Sequence, residues 1–313
     1  MRLLPEGSIG SLRRWRNTPC SRSNPSAANS MKFSSTSIRM TATHRRLVSR
    51  PMSLLVSDLR LRWRSLLWWT VGVVLLSTLV SSFYKSIAGD TAYEEVFSSL
   101  PESLQGLIGG ADLGTPVGYL SAEMYSFFMP AVLLVFAIGR STSTLAGEEE
   151  DHTLDLLLAQ PISRTALYVQ KVVGVALGIA VLAIAVAVPV IALADWSELK
   201  VPAANLWAAT AQLFAFVLFL GMLAMTVSAS MGRRAAGVGV AAGLAFVTYL
   251  LDGFGKSIEW LEPWRVLTPW YWYDVGEALA ESMPWTSFAV LLGATLIVGA
   301  LGLWGFNRRN LRS

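Results

Sequence analysis

The sequence predicts an all-α, polytopic membrane protein: six transmembrane helices, an N-terminal interfacial helix and a short cytoplasmic helix between the second and third spans. Three observations predict it. The 313 residues are 53% hydrophobic and only 15% charged, with a mean hydropathy of +0.50, whereas an average soluble domain is about a quarter charged. Apolar stretches recur along the chain, each near the roughly 20 residues a helix needs to cross a hydrocarbon core of about 30 Å. Basic residues then gather in alternate loops.

Charge divides the chain in two. Residues 1–51 hold ten Lys/Arg and the single acid Glu6, a net +9, while residues 52–313 carry −5. The basic excess therefore belongs to the leading segment and says nothing about nucleic-acid binding by the body, for which no nucleic acid is expected. Rich in Ser, Arg, Asn and Thr and without an apolar core, residues 1–51 are not a secretory signal and are expected to be disordered. An organellar transit peptide fits their composition. Upstream sequence read from an over-early start fits too, with Met31, Met40 or Met52 as the true one, and is preferred. Residues 52–313 form the six-span domain.

Ahead of the first span, Met52, Leu55, Val56, Leu59 and Trp63 share one helical face flanked by Arg60 and Arg64. This is the pattern of an amphipathic helix lying in the interface; a plain extension of the first span is the alternative. The spans are expected at Leu66–Phe83, Tyr119–Gly139, Val172–Ala194, Leu206–Ser228, Ala235–Leu251 and Trp285–Phe306. Pro130 should kink the second. The fifth is a few residues short and can be completed by Asp252 and its neighbours. Glycines at Gly174/Gly178, Gly239/Gly243 and along Gly293, Gly299, Gly302 and Gly305 suit close helix packing inside the bundle.

Orientation follows from bases near the span ends. One side collects Arg60, Arg62, Arg64, Arg140, Arg164, Lys171, Arg233, Arg234, Arg308, Arg309 and Arg312; the other has Lys85, Lys200, Lys256 and Arg265. Both termini are expected in the cytoplasm of a plasma-membrane protein. On the outer side, Trp260, Trp264, Trp270, Tyr271, Trp272 and Tyr273, with Pro263 and Pro269, read as an anchoring aromatic belt rather than a substrate patch. Glu123, beside Tyr125 and Ser126, is an ionisable group at membrane depth and by default a functional candidate. It either faces a pathway, with Tyr125, or is hydrated at headgroup level, and the second is preferred. Arg140 with Ser141–Thr144 reads as a polar helix end.

Catalytic chemistry finds little to work with. A single cysteine, Cys20, and two histidines, His44 and His152, exclude a disulfide framework and a Cys- or His-based metal site. No Ser–His–acid set or paired membrane carboxylates appear, so an enzyme is not expected. Gly255-Lys256-Ser257 mimics the end of a phosphate loop, but that motif needs a Gly where Leu250 stands and a preceding strand.

The most telling segment joins spans two and three. Glu148, Glu149, Glu150 and Asp151 are placed to open a helix, where carboxylates are favoured by the macrodipole. Leu154, Leu157 and Leu158 then form a short apolar face at i, i+3, i+4. Pro161 stops the helix, Ser163 can cap the next, and Lys171 marks its membrane entry. Such a helix fits a groove on another protein; it could equally fold back on its own bundle.

The run Glu148-Glu-Glu-Asp-His-Thr153-Leu-Asp155-Leu-Leu-Leu-Ala-Gln-Pro161-Ile-Ser163-Arg164, followed by Leu167 and Lys171, resembles the signature of the membrane subunits of type-2 ABC exporters. That pattern is acidic–basic–acidic, then Gly-Thr-Leu-Glu-Leu-Leu-Leu, then Pro-Val-Ser-Arg and a Lys. Glu149 stands where a base is common and His152 where Gly is usual. The six-span layout, the helix before the first span, the aromatics before the last and the terminal Phe306-Asn-Arg-Arg-Asn-Leu extend the likeness over residues 52–313. The resemblance implies a permease whose coupling helix, at 148–164, docks a separate ATP-binding subunit. Its docking residues would be Glu148, Glu150, Asp151, Thr153, Leu154, Leu157, Leu158, Pro161, Ser163 and Arg164. ATP and Mg would sit on that subunit, with no cofactor on this chain. The pathway would be formed as a homodimer or as a heterodimer with a second permease, among membrane lipid. Apolar, Gly- and Trp-rich spans favour a hydrophobic or amphipathic cargo moved outward. A non-transporting membrane scaffold or regulator using the same helix is the alternative. A channel or secondary carrier would need polar or charged residues at mid-span, of which these stretches hold almost none apart from Glu123.

Overall fold

The computed structural model describes residues 53–87, 99, 115–150 and 163–308, with the backbone alone for 53–61 and 87. The described residues lie within one compact unit, Val48–Ser313; the basic extension, and the loop centre from Asp151 to Ile162, fall outside them. Every long element is helical. In order they are α1 (Ser53–Ile87), α2 (Pro116–Tyr119), a π-helical turn (Leu120–Tyr125), α3 (Phe128–Thr144), α4 (Ala146–Glu150), α5 (Arg164–Ser197), α6 (Ala203–Met231), α7 (Arg234–Gly255), a 3₁₀ turn (Glu262–Leu267), α8 (Val275–Ala280) and α9 (Trp285–Arg308). Six helical stretches are long and apolar enough to cross a membrane: α1 from Arg62, the composite α2–α3, and α5, α6, α7 and α9.

The all-α, six-span class is therefore as the sequence predicts, with two local differences. The amphipathic stretch before the first span does not form a separate interfacial helix. From Ser53 to Ile87 the backbone is one uninterrupted helix of 35 residues, with no Pro or Gly between Leu59 and Leu66 to interrupt its hydrogen bonding. The second span, by contrast, is broken. Thr115 caps α2 through Gly118 N–H, Pro116 opens it, and the chain widens into the π turn before a two-residue break at Ser126–Phe127. Pro130 explains the break, since its ring would clash with the carbonyl four residues back, that of Ser126, and it lacks the N–H to bond it. The fifth span reaches full length by taking Asp252 into its last turn.

α6 is the central helix: 67% of its apolar stretch is buried, against 17% for α1 and α9 and 22% for α7. It packs against α9, α3, α7, α5 and α8. Small residues set how near these helices come. At Gly237 an added Cβ would stand 2.5 Å from the Ala224 carbonyl oxygen and 2.8 Å from Thr142 and Ser228 side-chain carbons, so α7 crosses α6 and α3 there in near-backbone contact. Gly178 meets the Phe136 ring, Gly299 meets Met222, Gly302 meets Tyr168 and Thr226, and Gly305 meets Ser230. Gly239, Gly243 and Gly293 face open space instead. Gly239 lies about 200° around the helix from Gly237, so one face of α7 packs and these two glycines turn away.

Hydrogen bonds add to the packing. Tyr168 donates to Gly299 O at 3.1 Å and Thr226 to Val298 O at 2.9 Å, tying α5 and α6 to α9. Tyr119 donates to Val80 O at 2.8 Å, tying the second span to the first. Each satisfies a polar group that would be costly in hydrocarbon.

Candidate functional site

Two ends of the bundle carry polar structure. At the basic end, α3 passes through Leu145 into α4, a helix of five residues, and the chain returns at Ser163. Ser163 caps α5, its hydroxyl accepting from Ala166 N–H at 3.2 Å. Glu148 and Glu149 stand in the first turn of α4, which begins at Ala146, as expected of acids at a helix start. Glu150 serves a second helix terminus, that of α7, whose first N–H, that of Arg234, donates to Glu150 Oε1 at 2.9 Å. A carboxylate at that position meets both an orphan donor and the positive end of the dipole. Alongside it, Gly147 leaves room for the Arg234 side chain.

Glu148 turns inward. Its Oε1 pairs with Lys171 Nζ at 2.5 Å, and the two side chains are only 14% and 9% exposed. Lys171 therefore does more than mark a membrane entry. The pair clamps α4 to the second turn of α5 as Glu150 clamps it to α7, so the polypeptide on both sides of 151–162 is fixed to spans two, three and five. Of the residues expected to dock a partner, Glu148, Glu150, Ser163 and Arg164 are thus brought to one end; Asp151, Thr153, Leu154, Leu157, Leu158 and Pro161 lie outside the described residues. The polar helix end Ser141–Thr144 is largely buried, with Thr142 and Thr144 donating to the carbonyls of Ile138 and Arg140.

At the other end the aromatic cluster divides. Trp260 and Trp264 are 72% and 56% exposed and face outward like a belt. Trp270 and Tyr273 turn in against Phe216, with ring centroids 4.5 and 4.7 Å away. Trp270 Nε1 donates to Ala245 O and the Tyr273 hydroxyl to Tyr125 O, each at 2.9 Å. Burial first, and then the nearby Tyr125, pushes the Tyr273 hydroxyl well above its ordinary value, so it stays a donor. Arg265 pairs with Asp252 at 2.9 Å and lies over the Tyr271 ring. The pseudo-phosphate-loop residues Gly255-Lys256-Ser257 simply end α7.

Glu123 is half-buried on the π turn, whereas Tyr125 is fully buried, its hydroxyl 3.4 Å from Thr210. Tyr125 thus belongs to the core of the bundle. Two features that no motif announced are clefts on the membrane-facing sides. One, of about 340 Å³, lies between α3 and α7 and is walled by apolar residues such as Leu134, Ile138, Val238 and Phe246. The other lies between α1, α3 and α5. Among the described residues no three His, Cys, Asp or Glu come together as a metal site.

A bundle of six spans whose inter-span loop is anchored to three of them has the build of a membrane transport domain. The family model for the C-terminal domain of the multidrug efflux system permease Rv1217c matches residues 49–307. The chain belongs to that permease family. It is a multi-pass membrane protein and a transporter by family, and the match runs from just before α1 nearly to the end of α9. No curated relative matches the chain.

Proposed function

We propose that this permease is the transmembrane subunit of an ATP-driven ABC exporter that docks a separate ATP-binding subunit through the segment 148–164. The observation that carries the proposal is the anchoring of that segment. Glu148–Lys171 and Glu150–Arg234 N–H hold its first turn to α5 and α7, and Ser163 caps its return. A push by a closing partner on this segment would reach spans two, three and five through these two anchors and the Ser163 cap. Two copies, or this chain and a second permease, would form the path, with the basic end and both termini in the cytoplasm of a plasma-membrane protein. Apolar clefts between spans suit a hydrophobic or amphipathic cargo, in keeping with the multidrug efflux named for the matched family.

The test is co-purification of the full chain with the ATP-binding subunit encoded nearest to it, followed by ATPase assay in lipid. Leu154→Asp/Leu158→Asp is the informative variant, because it leaves both anchors intact. Loss of association and of ATPase modulation, with normal insertion, is the expected outcome. Reversing Glu148 and Glu150 is less discriminating, since both hold this chain together. If no ATP-binding subunit associates with the unaltered chain, the exporter reading fails and a non-transporting scaffold that uses the same helix replaces it.

A further inference from the structure

The cleft between α1, α3 and α5 has a composition that an ordinary lipid-facing surface lacks. Its volume is about 290 Å³. At the basic end its mouth carries two guanidinium groups, Arg62 from the start of the first span and Arg140 from the end of the second, with the hydroxyls of Ser65 and Ser143 beside them. Below them the walls are apolar: Leu66, Trp69, Phe136, Leu177 and Val181, floored by small residues at Gly139, Gly174 and Gly178. Among the described residues no carboxylate lines it. From Arg62 to Trp69 the helix rises about 10 Å, so the cleft runs from interface depth well into the hydrocarbon.

Two fixed positive charges above an apolar, aromatic-walled slot match one chemistry, an anionic head on a hydrocarbon tail. Arginine suits the head. Its five N–H donors in a planar fork match phosphate oxygens, and they suffice for an acceptor within the chain and a ligand oxygen together. Basic pockets between transmembrane helices are a recurrent way to hold acidic lipid headgroups. The glycines matter for the tail, since at Gly139 a built Cβ meets nothing within 4 Å, leaving open space along the α3 wall.

We propose that this cleft is a binding site for an anionic phospholipid of the surrounding bilayer, its phosphate held by Arg62 and Arg140 and one acyl chain lying against Trp69, Phe136 and Val181. The lipid would fill the seam between the first span, which is otherwise peripheral, and the better-buried second and third spans. It would thereby stabilise the packing of α1 on the bundle. The site needs only a bilayer around the spans and does not rest on the exporter reading.

The test uses the purified full chain in detergent, titrated separately with phosphatidylglycerol, phosphatidylcholine and inorganic phosphate, and read by native mass spectrometry and by melting temperature. Phosphatidylglycerol is expected to bind about tenfold or more tightly than phosphatidylcholine, as two basic contacts at the membrane surface allow, and to raise the melting temperature. Arg62→Gln/Arg140→Gln should remove that preference, while Arg62→Lys/Arg140→Lys keeps most of it. Gly139→Leu keeps both arginines but fills the slot, and should weaken phosphatidylglycerol as well; it decides the matter if the glutamine variant does not fold. Equal binding of the two lipids, or an undiminished preference in both the glutamine and Gly139→Leu variants, overturns the proposal. Inorganic phosphate that competes as well as the lipid overturns it too, by making the site one for a soluble anion.

Discussion

The pair Glu148–Lys171 is the residue whose loss should be felt most. Both side chains are largely withdrawn from water, so removing one member takes from the other its nearest opposite charge, and breaking a buried pair costs about 3 kcal/mol or more. Lys171→Met should therefore lower the melting temperature sharply, while Glu148→Leu/Lys171→Met recovers most of the loss because no orphan charge remains. A double variant as unstable as the single one would show that the pair is not what holds α4 to α5. A smaller effect belongs to Tyr273. Replacing it with Phe deletes the donor to Tyr125 O and should cost about 1 kcal/mol in thermal stability, without altering insertion. Neither contact can be read from the sequence, because its partners lie far apart in the chain. What the sequence does show is an acidic run and a lysine near a span end, which suggest charge at a surface rather than a buried clamp.

At the scale of the element, α7 shows how one helix can carry two kinds of glycine. Gly237 sits against the Ala224 carbonyl and Gly243 faces open space. Gly237→Ala should force α7 off α6 and cost about 1–3 kcal/mol by overpacking; Gly243→Ala should stay within about 0.5 kcal/mol. Thermal melts of the two variants in one detergent check the pair, and equal effects would contradict the close crossing. Spacing singled out Gly239/Gly243 and passed over Gly237, the one that packs, because only the rotational phase of the helix separates them. The same limit holds for the aromatics, where Trp260 and Trp270 look alike as letters but one is exposed and the other packs its ring, tilted, against Phe216. Spans were legible because about 20 apolar residues is a demand of the bilayer itself, and a distortion of the second was legible from Pro130, which lacks an N–H and crowds the preceding turn. That it breaks there was not, since Pro189 sits inside the continuous α5. The unbroken α1 was not: an amphipathic face describes which side is apolar, and says nothing about whether the axis bends.

For the molecule as a whole, the polar ends differ in kind, and that difference makes the orientation testable. The basic end gathers the start of α5, the start of α7, the end of α9 and the acidic clamp. The aromatic end gathers Trp260, Trp264 and Trp285, all more than half exposed. On the proposed reading the bias in Lys and Arg would put the basic end in the cytoplasm, where an ATP-binding subunit must be if it is to dock on 148–164. Met231, at the basic end of α6, is 60% exposed, and Trp260, beyond the opposite end of α7, is 72% exposed. In a Cys20→Ser background, a membrane-impermeant maleimide applied to intact cells should label Trp260→Cys, and Met231→Cys only after the cells are opened. The reverse pattern would place the loop from α4 to α5 outside, beyond the reach of any cytoplasmic ATPase. It would end the exporter proposal whatever the likeness of the motif. The lipid site would survive such a reversal, since it needs the two arginines and the apolar slot below them but not a particular face of the membrane.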